Sequence, residues 1–371
     1  MTLLSKQSLQ ERWKRLHQRL KDLEADGMLV TNLTSVRYLS GFTGSTGLLL
    51  FLPNSRHFIS DGRYQEQAHQ QVVDFQIHID TGDAGRAGQG LFGFIQEQGL
   101  LDGPYRLAYE ADHVSVSRFN DWCELFPNIE WVETTQLVAE VAVIKDDEEL
   151  VALTEAVRIT DLVFEDLKDD LKPGTTEREV AARLAYLLRH HGSEGDSFDP
   201  VIASGPRSAL PHSSPSDKSL DSGDFVVLDF GARHGGYHAD MTRTVCIAEA
   251  TDRHHEVYSI VLEAQRRGIA AARDNIPASR VDAACRDYIT EKGFGEYFLH
   301  ATGHGVGLEI HTQPRLSRES SDILKANMVV TVEPGIYLPD WGGVRIEDDV
   351  LIRADDCIPL NRTTRELLIL G

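Results

Sequence analysis

Two apolar runs, FVVLDF (225–230) and MVVTVEP (328–334), each carry a carboxylate, Asp229 and Glu333. Short runs rich in valine and other large apolar residues, closed by a glycine turn, read as buried strands. Aspartate and glutamate are almost never fully buried unless paired or bound to a cation. A chain with this pattern must therefore fold so that compensating groups reach those strands. An edge-strand acid, or one paired with an arginine, would explain Asp229 alone. That reading weakens as more acids appear in the same setting. A second acid follows each run, Asp240 in HADMTRT and Glu347 in VRIEDD, eleven and fourteen residues on. Two copies of strand, turn and strand, each bearing two carboxylates, predict a pseudo-symmetric site if the halves pack face to face. Strand alternation puts Asp240, Thr242 and Thr244 on one face.

Four converging carboxylates would cost several kcal/mol per buried ion without cations. Two divalent cations offset the four charges. The stretch HATGHGVGLEIH holds three of the fifteen histidines, His300, His304 and His311. One imidazole added to four oxygen donors suits Mn²⁺, Co²⁺ or Zn²⁺ better than thiolate-seeking metals.

A chain of 371 residues is too long for one ordinary core, so two domains are expected. SLQERWKRLHQRLKDLEADG reads as an amphipathic helix with Leu9, Trp13, Leu16, Leu20 and Leu23 on one stripe. Ser8 and Glu11 form its expected capping box and Gly27 its stop. GMLVTN, TGLLLFL and RHFISD read as strands separated by YLSGFTGS and PNS turns, and DGRYQEQAHQQV and GLFGFIQEQGL as helices. Residues 1–135 thus form an α/β domain, and residues 136–371 a second one. The second opens with a long helix after Ile144, stopped by Pro173-Gly174. A second helix follows, with Thr176 and Glu179 as a capping box and Gly192 as its stop.

The net charge of −21 argues against nucleic acid or an anionic membrane surface as partner. Four scattered cysteines without a CxxC pair read as reduced thiols. With no signal-like apolar region and no membrane-length stretch, the expectation is a cytoplasmic protein.

PHSSPSD, VVLDFGA, HADMTRT, HATGHGVGLEIH, VEPGIY and VRIEDD, in that order, resemble the pita-bread metallopeptidase family, in particular aminopeptidase P and prolidase. NLTSVRYLSGFTGS and DGRYQEQA resemble that family's smaller domain less sharply. The resemblance implies an α+β catalytic domain, pseudo-symmetric, with a curved and mainly antiparallel sheet covered by helices. It implies a two-metal site, Mn²⁺ for preference, with Asp229, Asp240, His304, Glu333 and Glu347 as ligands. Asp240 and Glu347 would bridge the metals, Asp229 would complete one, and His304 and Glu333 would complete the other. Glu333 would also accept a proton from the attacking water. Gly303, Gly305 and Gly307 would let the backbone approach the metal. His311 would donate to the scissile carbonyl, His300 would shape a proline pocket, and His212 would assist at the scissile bond. Tyr337 and Arg345 would support the site, Arg345 by pairing with a ligating carboxylate or with a substrate carboxylate. Thr242 and Thr244 would orient Asp240, while Phe198, Ile202 and Tyr237 would wall the proline pocket or simply fill the core.

The implied activity is hydrolysis of the bond between an N-terminal residue and proline in short peptides. FTGS inclines the reading to Xaa-Pro aminopeptidase over Xaa-Pro dipeptidase. A metal-free creatinase-like hydrolase and a non-catalytic binding module are the other readings, and both tend to lack the acidic ligands. Family precedent implies a homodimer or homotetramer.

Overall fold

The computed structural model describes residues 5–82 and 90–371. The chain divides into two compact units, Met1–Ala142 and Val143–Gly371.

The first unit runs α1 (Lys6–Asp22), β1 (Gly27–Val30), α2 (Leu33–Ser40), β2 (Leu48–Leu52), β3 (Ser55–Asp61), α3 (Gln65–Gln71), β4 (Gln76–Asp80), α4 (Gly90–Glu97), β5 (Arg106–Glu110), α5 (Val116–Leu125), β6 (Glu130–Thr134) and α6 (Leu137–Ala142). Its strands form one mixed sheet in the order β4-β3-β2-β1-β5-β6. Leu9, Trp13, Leu16 and Leu20 of α1 are buried, as the stripe requires. The cap differs from expectation: Ser5, not Ser8, accepts the first-turn N–H, from Ser8 at 3.2 Å. Part of the expected turn before FTGS is helical. Asn32 caps α2 by accepting the Thr34 N–H, Val36 and Leu39 are fully buried, and Gly41 closes the helix at φ 78°.

The second unit contains two similar halves. The first comprises α7 (Asp147–Leu167), α8 (Glu177–His190), β7 (Val201–Ser204), β8 (Phe225–Phe230), a small hairpin of β9 (Arg233–His234) and β10 (Tyr237–His238), and β11 (Met241–Ile247). The second comprises α9 (Asp252–Ala271), α10 (Ala278–Glu291), β12 (Gly303–Gly305), β13 (Thr312–Leu316), β14 (Val329–Val332), the hairpin of β15 (Gly335–Leu338) and β16 (Gly342–Arg345), and β17 (Asp348–Ile352). β18 (Cys357–Pro359) and β19 (Ile369–Leu370) follow. The sheets run β19-β11-β8-β7 and β13-β12-β14-β17-β18, antiparallel except where β19 joins β11.

Apolar faces of α7 and α8 pack with Ile202, Val226, Leu228 and Val245. Those of α9 and α10 pack with Val330, Val332 and Val350. Each half therefore repeats helix pair, strand, hairpin, strand, the architecture the resemblance implies. The capping box of Thr176 and Glu179 on α8 is present. α7 ends at Leu167, earlier than Pro173, because the chain tightens into a 3₁₀ turn over Lys168–Asp170.

All four cysteines are free thiols. Among the described residues no helix is long and apolar enough to cross a membrane.

Candidate metal centre

The repeated topology brings the four acids to equivalent strand ends. Asp229 lies within β8 and Asp240 immediately before β11, while Glu333 follows β14 and Glu347 precedes β17. In the first sheet Asp229 is registered against Thr242. The Asp240 backbone N–H donates to Asp349 Oδ2 at 2.9 Å, and the Glu347 N–H to the Thr242 carbonyl at 3.1 Å. Thr242 Oγ1 donates to Glu347 Oε2 at 2.6 Å, and Thr331 Oγ1 to Glu333 Oε1 at 3.3 Å.

His304 joins them from β12. Its Nδ1 lies 3.1 Å from the Gly305 carbonyl, which can only accept, so Nδ1 carries the proton and Nε2 the lone pair. That Nε2 sits 3.6 Å from Asp240 Oδ2 and 3.6 Å from Glu333 Oε1. One donor atom each from Asp240, His304 and Glu347 lies within 4.8 Å of the others.

Burial dominates the electrostatics. Desolvation first, and then the Glu347 and Asp229 charges, push the Asp240 carboxyl well above its usual range. Desolvation followed by Glu333 and Asp229 does the same to Glu347. Glu333 is pushed up to about 7, chiefly by desolvation. The imidazoles move the opposite way: desolvation takes His304 down to about 4 and His300 to about 3. Desolvation penalises carboxylate and imidazolium alike, and a bound divalent cation would reverse the acid shifts.

The donor set fits such a cation. Asp229 Oδ1 and Asp240 Oδ1 are buried without any hydrogen-bond partner. Native structures rarely leave such atoms unsatisfied. Hard oxygen donors with one neutral imidazole suit Mn²⁺, Co²⁺ or Zn²⁺.

The remaining sequence candidates surround this cluster. Arg345 is buried and donates Nη2 to Asp229 Oδ2 at 2.5 Å, Nε to Thr242 Oγ1 at 2.9 Å, and Nη1 to Tyr337 OH at 2.8 Å and the Pro211 carbonyl at 3.3 Å. Of the two roles open to it, it takes the carboxylate partner within the protein. Tyr337 OH lies 2.8 Å from His300 Nε2, while His300 Nδ1 lies 2.8 Å from the Ala301 carbonyl. His300 is thus a neutral ring with both nitrogens occupied. The His311 ring stands 4.4 Å from the His304 ring, centroid to centroid, and desolvation lowers its imidazole below the ordinary value. His212 is exposed beside Pro211.

Several expectations are corrected. Thr242 orients Glu347, not Asp240, and Thr244 Oγ1 donates to the Arg345 carbonyl at 2.9 Å. Of the two readings left open for Ile202, the structure takes the core one. The same holds for Tyr237, whose hydroxyl reaches Glu149. Gly303 and Gly305 are needed for strand contact: a Cβ would sit 2.0 Å from the Thr331 carbonyl oxygen and 2.2 Å from that of Gln313. At Gly307 a Cβ would meet nothing closer than Lys145 Nζ at 3.4 Å.

Comparison with known proteins agrees with this geometry. Residues 151–354 match metallopeptidase family M24, and residues 12–144 match the creatinase/prolidase N-terminal domain. The chain belongs to metallopeptidase family M24. It is 33% identical to an Xaa-Pro dipeptidase of Pyrococcus horikoshii over 97% of this chain and 99% of the relative. Its fold matches the solved Xaa-Pro dipeptidase from Bacillus anthracis with a TM-score of 0.93 and 41% identity, covering 98% and 100% of the two chains. An X-Pro aminopeptidase from Thermotoga maritima gives a TM-score of 0.88 and 37% identity, covering 95% and 100%.

Residues that sequence reasoning passed over hold this M24 site in place. Thr331, fully buried, accepts the His304 backbone N–H at 3.0 Å while donating to Glu333. Asp282 and Arg286 pair on α10, and Arg286 donates to the Phe298 and His300 carbonyls at 2.9 and 2.6 Å, fixing the segment that carries His300. Arg243 donates to the Glu347 carbonyl at 2.6 Å and to Asp348 at 2.8 Å. The Asp282–Arg286 spacing of i and i+4 on a helix was the one available signal.

Proposed function

We propose that this M24 metallopeptidase hydrolyses the bond between an N-terminal residue and proline, using two divalent cations held by Asp229, Asp240, His304, Glu333 and Glu347. The observation that carries the reading is the convergence of these buried acids on one neutral imidazole, with Asp229 Oδ1 and Asp240 Oδ1 left without partners. Asp229, Asp240, Glu333 and Glu347 would supply carboxylate oxygens to the pair, and His304 its Nε2 lone pair. When bound, such a pair supplies Lewis acidity and a water acidic enough to attack at neutral pH.

The chain's own groups do the rest. Glu333, whose burial raises its proton affinity, takes the proton of the attacking water and delivers it to the leaving imino nitrogen. His311 donates an N–H to the carbonyl oxygen as charge grows there. His212 contacts the substrate at the same bond from the Pro211 side. His300 offers a ring face rather than a proton, because Tyr337 and the Ala301 carbonyl occupy both its nitrogens. A ring face suits recognition of proline, whose tertiary amide has no N–H to bind.

The Pyrococcus horikoshii and Bacillus anthracis relatives are Xaa-Pro dipeptidases by name, which favours that reading. The Thermotoga maritima name supports the aminopeptidase one, toward which FTGS inclines. In either case Arg345 is committed to Asp229 and Tyr337, so another group must hold a substrate carboxylate. Chelator-treated protein is expected to lose Xaa-Pro hydrolysis and regain it with Mn²⁺ or Co²⁺. Comparing an Xaa-Pro dipeptide with an Xaa-Pro-Xaa tripeptide then separates the two labels. Full activity without metal would refute the reading. A homodimer or homotetramer in the cytoplasm completes the proposal, and a monomer in sedimentation would remove the oligomer.

A further inference from the structure

The His212 ring is exposed and makes no hydrogen bond among the described residues. Its place is therefore set by its backbone, the segment 204–216. That segment leaves β7 at Ser204, passes through a 3₁₀ turn over Gly205–Ala209 and reaches Ser216. Loops of this kind are the mobile parts of a fold unless side chains tie them down.

Both ends of the segment close on one carboxylate. Glu177, the first residue of α8, has a fully buried side chain. Its Oε1 accepts the Ser204 N–H at 2.7 Å and hydroxyl at 2.9 Å, and its Oε2 the Ser216 N–H at 2.9 Å and hydroxyl at 2.6 Å. Arg207 lies between them. Its Nε donates to Glu177 Oε2 at 3.0 Å, and its Nη2 to Ser213 Oγ at 2.8 Å and the Ser214 carbonyl at 2.7 Å. The guanidinium thus links the buried carboxylate to the two residues that directly follow His212. On the other side of His212, the Pro211 carbonyl accepts from Arg345 Nη1, and the same guanidinium holds Asp229 and Tyr337. Further back, Ser208 Oγ accepts the Gly343 N–H at 2.8 Å, and a Cβ at Gly343 would lie 2.2 Å from the Ser208 carbonyl oxygen, so the turn is seated on β16.

We propose that Arg207 is a positioning residue for the reaction. Its fork fixes the backbone after His212, as Arg345 fixes the backbone before it, so that an imidazole with no hydrogen-bond partner of its own is held at the scissile bond. The inference rests on the hydrolytic reading for what His212 does there. Lysine cannot replace the arginine, because a single ammonium lacks the planar fork that meets the carboxylate and the loop together. Glu177 keeps its serine donors when the guanidinium is removed, so the loop suffers rather than the fold.

The test combines hydrogen–deuterium exchange with steady-state Xaa-Pro hydrolysis, on the full-length wild type, Arg207→Ala, Arg207→Lys, His212→Ala and the Arg207→Ala, His212→Ala double variant. Exchange over 212–216 should quicken in both Arg207 variants, while that of α8 and β8 stays unchanged. In Arg207→Ala, kcat/KM should fall by up to about 10²-fold, the cost of misplacing a group by about 1 Å, with Mn²⁺ affinity unchanged. Arg207→Lys keeps the charge beside Glu177, so it should keep the thermal midpoint but recover little of the activity. Because Arg207 acts through His212, the double variant should be no less active than His212→Ala alone. Unaltered exchange would overturn the proposal. So would wild-type kcat/KM in Arg207→Ala or in His212→Ala, or a further loss in the double variant as large as that of Arg207→Ala alone. If the wild type cleaves no Xaa-Pro bond, the hydrolytic reading falls, and exchange alone decides whether Arg207 holds the loop.

Discussion

Thr242 is the residue whose removal should report most sharply on the buried acid network. Its hydroxyl donates to Glu347 Oε2 at 2.6 Å and accepts from Arg345 Nε at 2.9 Å, with every partner buried. Thr242→Val keeps the volume and removes both bonds. Hydrogen bonds to charged groups are worth about 1.5–3 kcal/mol each, so the pair predicts a loss of about 3–6 kcal/mol. For a unit of this size about 2–4 °C accompanies each kcal/mol, so the midpoint should fall by roughly 10 °C. The freed Glu347 also loses its orientation, which should weaken metal binding about 10–100-fold, the usual cost of removing a supporting hydrogen bond. Thermal denaturation and calorimetric Mn²⁺ titration of the wild type, Thr242→Val and Thr242→Ser measure both effects. The serine variant keeps the hydroxyl and should recover most of each. A valine variant with unchanged Mn²⁺ affinity and midpoint would refute the claim that Thr242 holds Glu347 for a cation.

Three further outcomes are expected. Glu333→Gln should cut Xaa-Pro hydrolysis by at least about 10²-fold, the typical worth of a positioned base, and undiminished kcat would remove Glu333 from proton transfer. Tyr337→Phe strips an acceptor from Arg345 and a donor from His300, so kcat/KM should fall more than Mn²⁺ affinity does, while equal losses would mean that Tyr337 acts only on the metal side. Glu177 is fully buried; desolvation alone would raise its carboxyl, but bonds from Ser216 and Ser204 outweigh it and hold it below its ordinary value. Its stabilisation is therefore present above the ordinary carboxyl range and disappears as pH falls through the lowered value. Glu177→Gln should be destabilised by about 1–3 kcal/mol at pH 7, with the gap to wild type closing on acidification; urea midpoints with no such gap would contradict this.

The acids were legible in the sequence because an ionisable residue inside an apolar run contradicts the run's own burial, and Asp229 and Glu333 both do so. Asp240 and Glu347 followed from the repeat, whose two halves end in the same strand–hairpin–strand arrangement. The partners of these groups were not legible. Thr331 and Thr242 look like any β-branched strand residue, and only the register of β8 against β11, with the approach of β17, shows which oxygen each hydroxyl meets. Asp348 and Asp349 stand beside Glu347 in VRIEDD yet bind Arg243, Gln265, Arg365 and the Asp240 backbone, contacts far apart along the chain. Local signals misled where several were available: Ser5 and Ser8 both precede the same apolar stripe, and the cap is decided by where the first turn closes.

The central claim is that four acids and one imidazole enclose two divalent cations. Anomalous diffraction from crystals of the Mn²⁺-loaded protein tests it most directly. Two peaks are expected, both bonded to Asp240 and Glu347, one also to Asp229 and the other to His304 and Glu333. A single peak, or none among these side chains, would contradict it.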